Sequence, residues 1–220
     1  MNTQTFKNPL FPFITTISAC FIWYGPLRLG YFTMIVAALV IVLGSYVQYK
    51  GKLFSSLGFQ REKFTSKNIV LFALLVALIL FLFYTFILVP GVEKIMGVPI
   101  DYSGFEEFKW NLPACLIALP YIWVTAGFGE EIVFRGYFMR QFTRLFGESK
   151  LSIIINIIVF ACFFGFLHAY QGITGQIVTG VIGALLATIF YLRKYDLWFV
   201  IAVHGFFDTI ALICVYFDLL

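Results

Sequence analysis

The stretch TAGFGEEIVFRGYFMRQF, residues 125–142, lies inside a long apolar run and carries Glu130, Glu131 and Arg135 within six positions. Whether these charges sit on a soluble helix or inside a membrane span decides the fold. Composition answers the question. Of the 220 residues, 61% are hydrophobic and only 12% charged, against roughly a quarter charged in soluble domains.

Outward from that stretch the chain divides into seven apolar runs: Leu10–Tyr24, Tyr31–Val47, Asn68–Val89, Leu112–Phe138, Leu151–Tyr170, Gly175–Leu192 and Leu197–Phe217. Each is near the ~20 residues that cross a bilayer as a helix. The expected fold is all-α, a polytopic membrane bundle of about seven helices. The first run has no small-residue cleavage pattern after it and reads as a retained span, with Pro9 and Pro12 at its N-terminal boundary. The polar connector Gly51–Lys67 divides the chain into residues 1–67, N-terminal spans with a cytoplasmic segment, and residues 68–220, the main membrane-embedded bundle.

Lysine and arginine orient the spans. With the N-terminus in the cytoplasm, eleven of the fifteen basic residues fall on the inner side: Lys7, Lys50, Lys52, Arg61, Lys63, Lys67, Arg140, Arg144, Lys150, Arg193 and Lys194. Only Arg28, Lys94 and Lys109 fall outside, and Arg135 lies within a span. The positive-inside rule places the N-terminus in the cytoplasm and the C-terminus outside. The loop from Pro90 to Lys109, with Glu93, Asp101, Glu106 and Glu107, then faces outward. Short loops on a wholly apolar body point to a multi-pass protein of a bacterial inner membrane. The net charge of +4 follows from the loop asymmetry and implies no nucleic-acid partner. Cys20, Cys115, Cys162 and Cys214 lack metal-type spacing and read as small packing residues.

Removing the loops leaves six ionisable groups inside spans: Glu130, Glu131, Arg135, His168, His204 and Asp208. A charge near the bilayer centre costs at least ~2.5 kcal/mol, so such residues face the bundle interior and mark function. Glu131 and Arg135 are four apart, acid first, the favourable order for a pair within one helix. On an α-helix Glu130 points about 100° away from that pair, which leaves it a carboxylate suited to acid or base work. His204 and Asp208 are also four apart, so the aspartate can accept one ring N–H and orient the imidazole. Phe164, four before His168, supplies an apolar wall.

Depth along the hairpin of the fourth and fifth spans brings Glu130 level with His168. His204 sits closer to its own turn. The sixth and seventh spans must therefore turn deeper in the membrane, or the fourth and fifth must project on the inner side, where Arg140, Gln141, Arg144, Ser152 and Asn156 are polar enough to allow it. On the sixth span Gly180, Ala184 and Thr188, with Gly183 and Ala187, form a small-residue pattern for close helix packing. Gly127, Gly129 and Gly136 give room for either a neighbouring helix or a substrate backbone.

The segments EEIVFR (Glu130, Glu131, Arg135), FGFLH (Phe164, His168) and HGFFD (His204, Asp208) resemble the three motifs of the CPBP intramembrane proteases, the family of CAAX prenyl endopeptidases and of bacteriocin-processing and immunity proteins. The resemblance covers residues 111–217. It implies hydrolysis of a peptide bond in a membrane-associated protein or peptide, with membrane lipids as surroundings. By that resemblance Glu130 is the general base and activates water with His168, His204 and Asp208 stabilise the oxyanion, and Glu131 and Arg135 hold the helix electrostatically. Asp208 stands where the family often has Asn, and an ionised aspartate has no proton to donate. Two histidines with two or three carboxylates are a donor set for zinc, whereas the family is also described as a metal-free, glutamate-dependent hydrolase; the sequence leaves both open. The H-E-x-x-H helix of ordinary zinc proteases is absent.

Two other classes compete with the peptidase. A proton-coupled transporter also places Glu, Asp and His on facing spans, but it more often shows internal repeats and broken helices in both halves. A catalytically inactive immunity or scaffold protein of the same fold has no reason to keep all six groups.

Overall fold

The computed structural model describes residues 14–18, 22, 32–49, 52–60 and 67–220. Among them every regular element is a helix. We label them α1 (Thr33–Tyr49), α2 (Leu53–Leu57), α3 (Ile69–Met96), α4 (Leu112–Phe146), α5 (Lys150–Leu167), α6 (Gly172–Leu192) and α7 (Leu197–Tyr216). Five of these, α3 to α7, are long and apolar enough to cross a membrane. α1 is apolar but shorter, and the expected first span, Leu10–Tyr24, falls largely outside the described residues. The chain is an all-helical, multi-pass membrane protein.

The helix ends follow from local chemistry. Asn111 accepts from Ala114 N–H at 3.3 Å, Ser149 from Ser152 N–H at 3.2 Å and Asp196 from Phe199 N–H at 3.4 Å, each satisfying an orphan donor of a first turn. Gly97, at φ 72°, ends α3 in the left-handed conformation and returns its N–H to Glu93 O. Pro90 does not end α3, although its sequence position reads as a stop. It occupies the first turn of a further helical segment, Val89–Met96, and the wide π-wound turn Tyr84–Leu88 just before it absorbs the missing donor and the ring's clash. The loop between α3 and α4 therefore begins at Gly97. Thr174, Gln171 and Tyr216 hold it down through bonds to Val98 O (2.7 Å), Asp101 N (3.1 Å) and Trp110 N (3.0 Å).

α4 departs most from a regular helix. Leu112–Ile122 and Arg140–Phe146 are α-helical, while Trp123–Glu130 and Ile132–Met139 are π-wound. Every side chain from Val133 to Gln141 is buried, so the C-terminal half of α4 is a central pillar. α7 is its counterpart, with Phe199 to Gly205 all buried. α5 packs along α6 and α7 along α3. The α5–α6 contact is close at Gly165 and Gly180: a Cβ on Gly180 would lie 3.3 Å from Ala161 O. That is the small-residue packing expected of the sixth span. Leu151, Ile154 and Ile158 on α5 and Leu71, Leu75 and Ile79 on α3 are exposed, which turns these faces to lipid.

At its C-terminal end α4 continues to Phe146, eight residues past the expected boundary at Phe138. Its polar residues are paid for by partners. Gln141 donates to Tyr49 Oη at 2.8 Å, the Arg144 guanidinium lies 4.4 Å over the Tyr49 ring, and Arg140 lies 5.0 Å over Tyr195. Asn156, fully buried on α5, donates to Met139 O at 2.9 Å, to Thr143 Oγ1 at 3.2 Å and to Tyr191 Oη. Tyr195 of the α6–α7 turn thus meets α4 at Arg140 and also reaches the α4–α5 turn, where it donates to Glu148 at 2.7 Å.

Candidate active site

The π-wound pillar carries the acidic stretch into the bundle. Glu131 is fully buried, and its Oε1 accepts from Arg135 Nη1 at 2.8 Å and from His204 Nδ1 of α7 at 2.7 Å. The i,i+4 pair expected from spacing therefore forms even though the helix on either side is unwound beyond the α geometry. Arg135 has a second attachment: Nη2 donates to Gly183 O of α6 at 2.9 Å, and the guanidinium lies 4.9 Å from the centre of the Phe164 ring of α5. One arginine thus touches two other helices, α5 and α6, besides its own acid. A cation with its donors and both faces occupied tolerates burial far better than an unpaired one.

Glu130 is half-buried and makes no hydrogen bond within the described residues. Its charge interacts with those of His204, Glu131 and Arg135. Asp208, 24% exposed, lies one turn beyond His204 with Oδ2 3.5 Å from Nε2, and its charge interacts with those of His204, Glu130, His168 and Glu131. The expectation that Asp208 holds the imidazole is met only loosely, because the short bond to that ring comes from Glu131.

His168 lies at the end of α5 rather than within it, in the turn before α6. Its Nδ1 donates to Phe164 O at 2.8 Å, and its ring lies against Phe164, centroids 4.8 Å apart. Phe164 also approaches His204 at 6.2 Å. The apolar wall expected of this phenylalanine is present, and it serves both histidines and the arginine at once. The six groups named from sequence are thereby brought into one region where α4, α5 and α7 meet.

Three participants had no signal in the sequence. Gly183 read only as a packing residue, yet its carbonyl takes Arg135, and a Cβ there would stand 2.9 Å from Phe164 Cδ1. Trp123, at the start of the π-wound segment, donates Nε1–H to Thr209 Oγ1 at 3.1 Å and presses its ring onto Gly205, next to His204. Tyr170 stands beside His168, ring centroids 5.8 Å apart, and its hydroxyl accepts from Gln171 Nε2 at 3.2 Å. The three glycines of the opening stretch serve helix approach: Gly127 faces Gly205, Gly129 faces Met34, and Gly136 faces Leu57 and Leu197.

Among the described residues no three His, Cys, Asp or Glu side chains converge so as to hold a metal ion. The donors as placed do not fit one. Glu131 Oε1 already takes two N–H donors, one of them from a guanidinium, and Nδ1 of each histidine is engaged. What the arrangement offers chemically is a carboxylate without a partner beside two imidazoles whose outer nitrogens are less committed.

Comparison with known proteins agrees with the motif resemblance. Residues 110–210 match the family model of Rce1-like type II CAAX prenyl endopeptidases. No curated protein and no solved structure is matched by the chain.

Proposed function

We propose, with this match of residues 110–210 to the type II CAAX prenyl endopeptidases as the premise, that the protein is an intramembrane endopeptidase. It hydrolyses a peptide bond in a membrane-associated protein or peptide. The observation that carries the reading is the position of Glu130, a carboxylate with no hydrogen-bond partner among the described residues, beside His204, Glu131 and Arg135.

In the proposed reaction Glu130 takes a proton from a water molecule, which His168 steadies through Nε2, its Nδ1–H being given to Phe164 O. The hydroxide oxygen bonds to the scissile carbonyl carbon and the carbonyl π pair moves onto oxygen. His204 stabilises that oxyanion. When the tetrahedral intermediate collapses, the C–N bond breaks and the amine leaves with the proton that Glu130 had taken. Asp208, an acceptor when ionised, holds charge balance beside His204 rather than donating to the oxyanion. Arg135 and Glu131 keep the helices in register, and no step is routed through a metal. The orientation that goes with this reading is N-terminus in the cytoplasm and C-terminus outside.

The test is comparative peptidomics of membranes from cells carrying the wild type or Glu130→Gln. Peptide products that vanish in the variant, at unchanged protein level, are expected. Equal product profiles would overturn the mechanism.

A further inference from the structure

We infer that Glu131, and not Asp208, is the residue that positions His204. The reasoning begins with an oxygen. Glu131 Oε1 receives Arg135 Nη1 at 2.8 Å and His204 Nδ1 at 2.7 Å in a side chain with no exposed surface. An oxygen already accepting from a guanidinium is an anionic acceptor, so the proton of the second bond sits on the ring nitrogen. His204 therefore carries hydrogen on Nδ1.

The acceptor is itself immobilised. Arg135 cannot turn away, because its Nη2 is on Gly183 O at 2.9 Å and its face is on Phe164 at 4.9 Å. The result is a chain of bonds that starts at the α6 backbone, crosses α4 through Arg135 and Glu131, and ends on the imidazole of α7. Among the described residues nothing comparable holds the other ring nitrogen. Nε2 is 3.5 Å from Asp208 Oδ2, beyond the distances of good N–H···O bonds, and Asp208 is the more exposed of the two carboxylates. The carboxylate on the same helix is thus a loose neighbour, while the one on another helix sets ring position and tautomer.

Taken with the peptidase reading, on which its purpose rests, this makes Nε2 the nitrogen that meets substrate. It donates to an oxyanion only when the ring is doubly protonated. Glu131 acts through His204 and is a positioning residue.

The experiment is ¹⁵N-histidine NMR of the full-length protein in lipid nanodiscs. The chain has two histidines, and a His168→Gln variant assigns the signals. The wild type is expected to show His204 Nδ1 protonated and hydrogen-bonded. In Glu131→Gln the His204 signals shift and those of His168 stay; an unchanged His204 Nδ1 resonance in that variant would overturn the inference. Because Glu131→Gln could fail to fold, Asp208→Asn provides a second measurement at a partly exposed position: the Nδ1–H signal persists if Glu131 holds the ring, and its loss refutes the proposal. These spectra need no substrate, so they fail or succeed separately from the Glu130→Gln peptidome.

Discussion

Arg135 on α4 donates to the carbonyl of Gly183 on α6 at 2.9 Å while holding Glu131 at 2.8 Å. A single side chain therefore ties the acidic stretch to a helix that contributes no ionisable group of its own to the site. Removing it leaves Glu131, which is fully buried and whose Oε2 already lacks a partner among the described residues, with the His204 Nδ1 bond alone. Arg135→Ala is expected to cost about 3–5 kcal/mol, the usual penalty for breaking a buried pair from one side. Thermal unfolding in detergent reads this directly, and a melting curve superimposable on wild type would count against it.

Gly205 lets the Trp123 ring lie against α7 next to His204. A Cβ there would meet three ring atoms at 2.6–2.8 Å, and the ring is anchored by its bond to Thr209. Gly205→Ala should destabilise by roughly 1–3 kcal/mol, the range for overpacking. Gly91→Ala is the matched control, since nothing lies within 4 Å of its added methyl. It should raise stability by about 0.5–1 kcal/mol through helix propensity alone. Denaturation of both variants in the same detergent distinguishes close approach from a general intolerance of alanine.

Asn156 is the fully buried amide that binds α4, α5 and α6 together near the C-terminal end of α4. Asn156→Leu takes a donor from Thr143 Oγ1 and Tyr191 Oη and leaves Met139 O with Thr143 Oγ1–H alone, and should cost about 1–3 kcal/mol. Thr143→Val, which removes one acceptor of that amide, should cost less. Equal stability of Asn156→Leu and wild type would show that apolar packing replaces the network.

Orientation is checked independently. A reporter fused after Leu220 is expected on the outer side, with one fused in the Gly147–Ser149 turn on the inner side. A cytoplasmic signal from the first fusion would reverse the whole topology.

Much of this was legible in the sequence. Apolar runs marked α3 to α7, because each must bury or face lipid along its full length. Spacing of four marked the Glu131–Arg135 pair, and the rarity of charge in lipid marked all six groups. The sequence was misleading where a neighbour overrides local polarity. Arg140, Gln141 and Arg144 looked like the end of a span, yet Tyr195, Tyr49 and Thr143's neighbours bury them and the helix goes on to Phe146. The bond from Glu131 to His204 was not legible, because spacing fixes faces within a helix and says nothing of the register between α4 and α7. Nor was the winding of α4: α and π coils draw on the same residues, and the neighbours that lie against its glycines, Met34 and Leu197 among them, come from distant parts of the chain.

That winding makes α4 sensitive to chain length. A π-wound segment accommodates more residues per turn than an α-helix of the same height, so Trp123–Met139 is a coil with slack in it. Deleting a single residue between Trp123 and Gly129 would let the coil tighten to the α form and keep its caps and apolar content almost intact. It would also swing Glu130 and Glu131 around the axis relative to α7. Within this segment the number of residues, more than their hydrophobicity, keeps the two acids facing the histidines, and single-residue indels are the lesion it is least able to absorb.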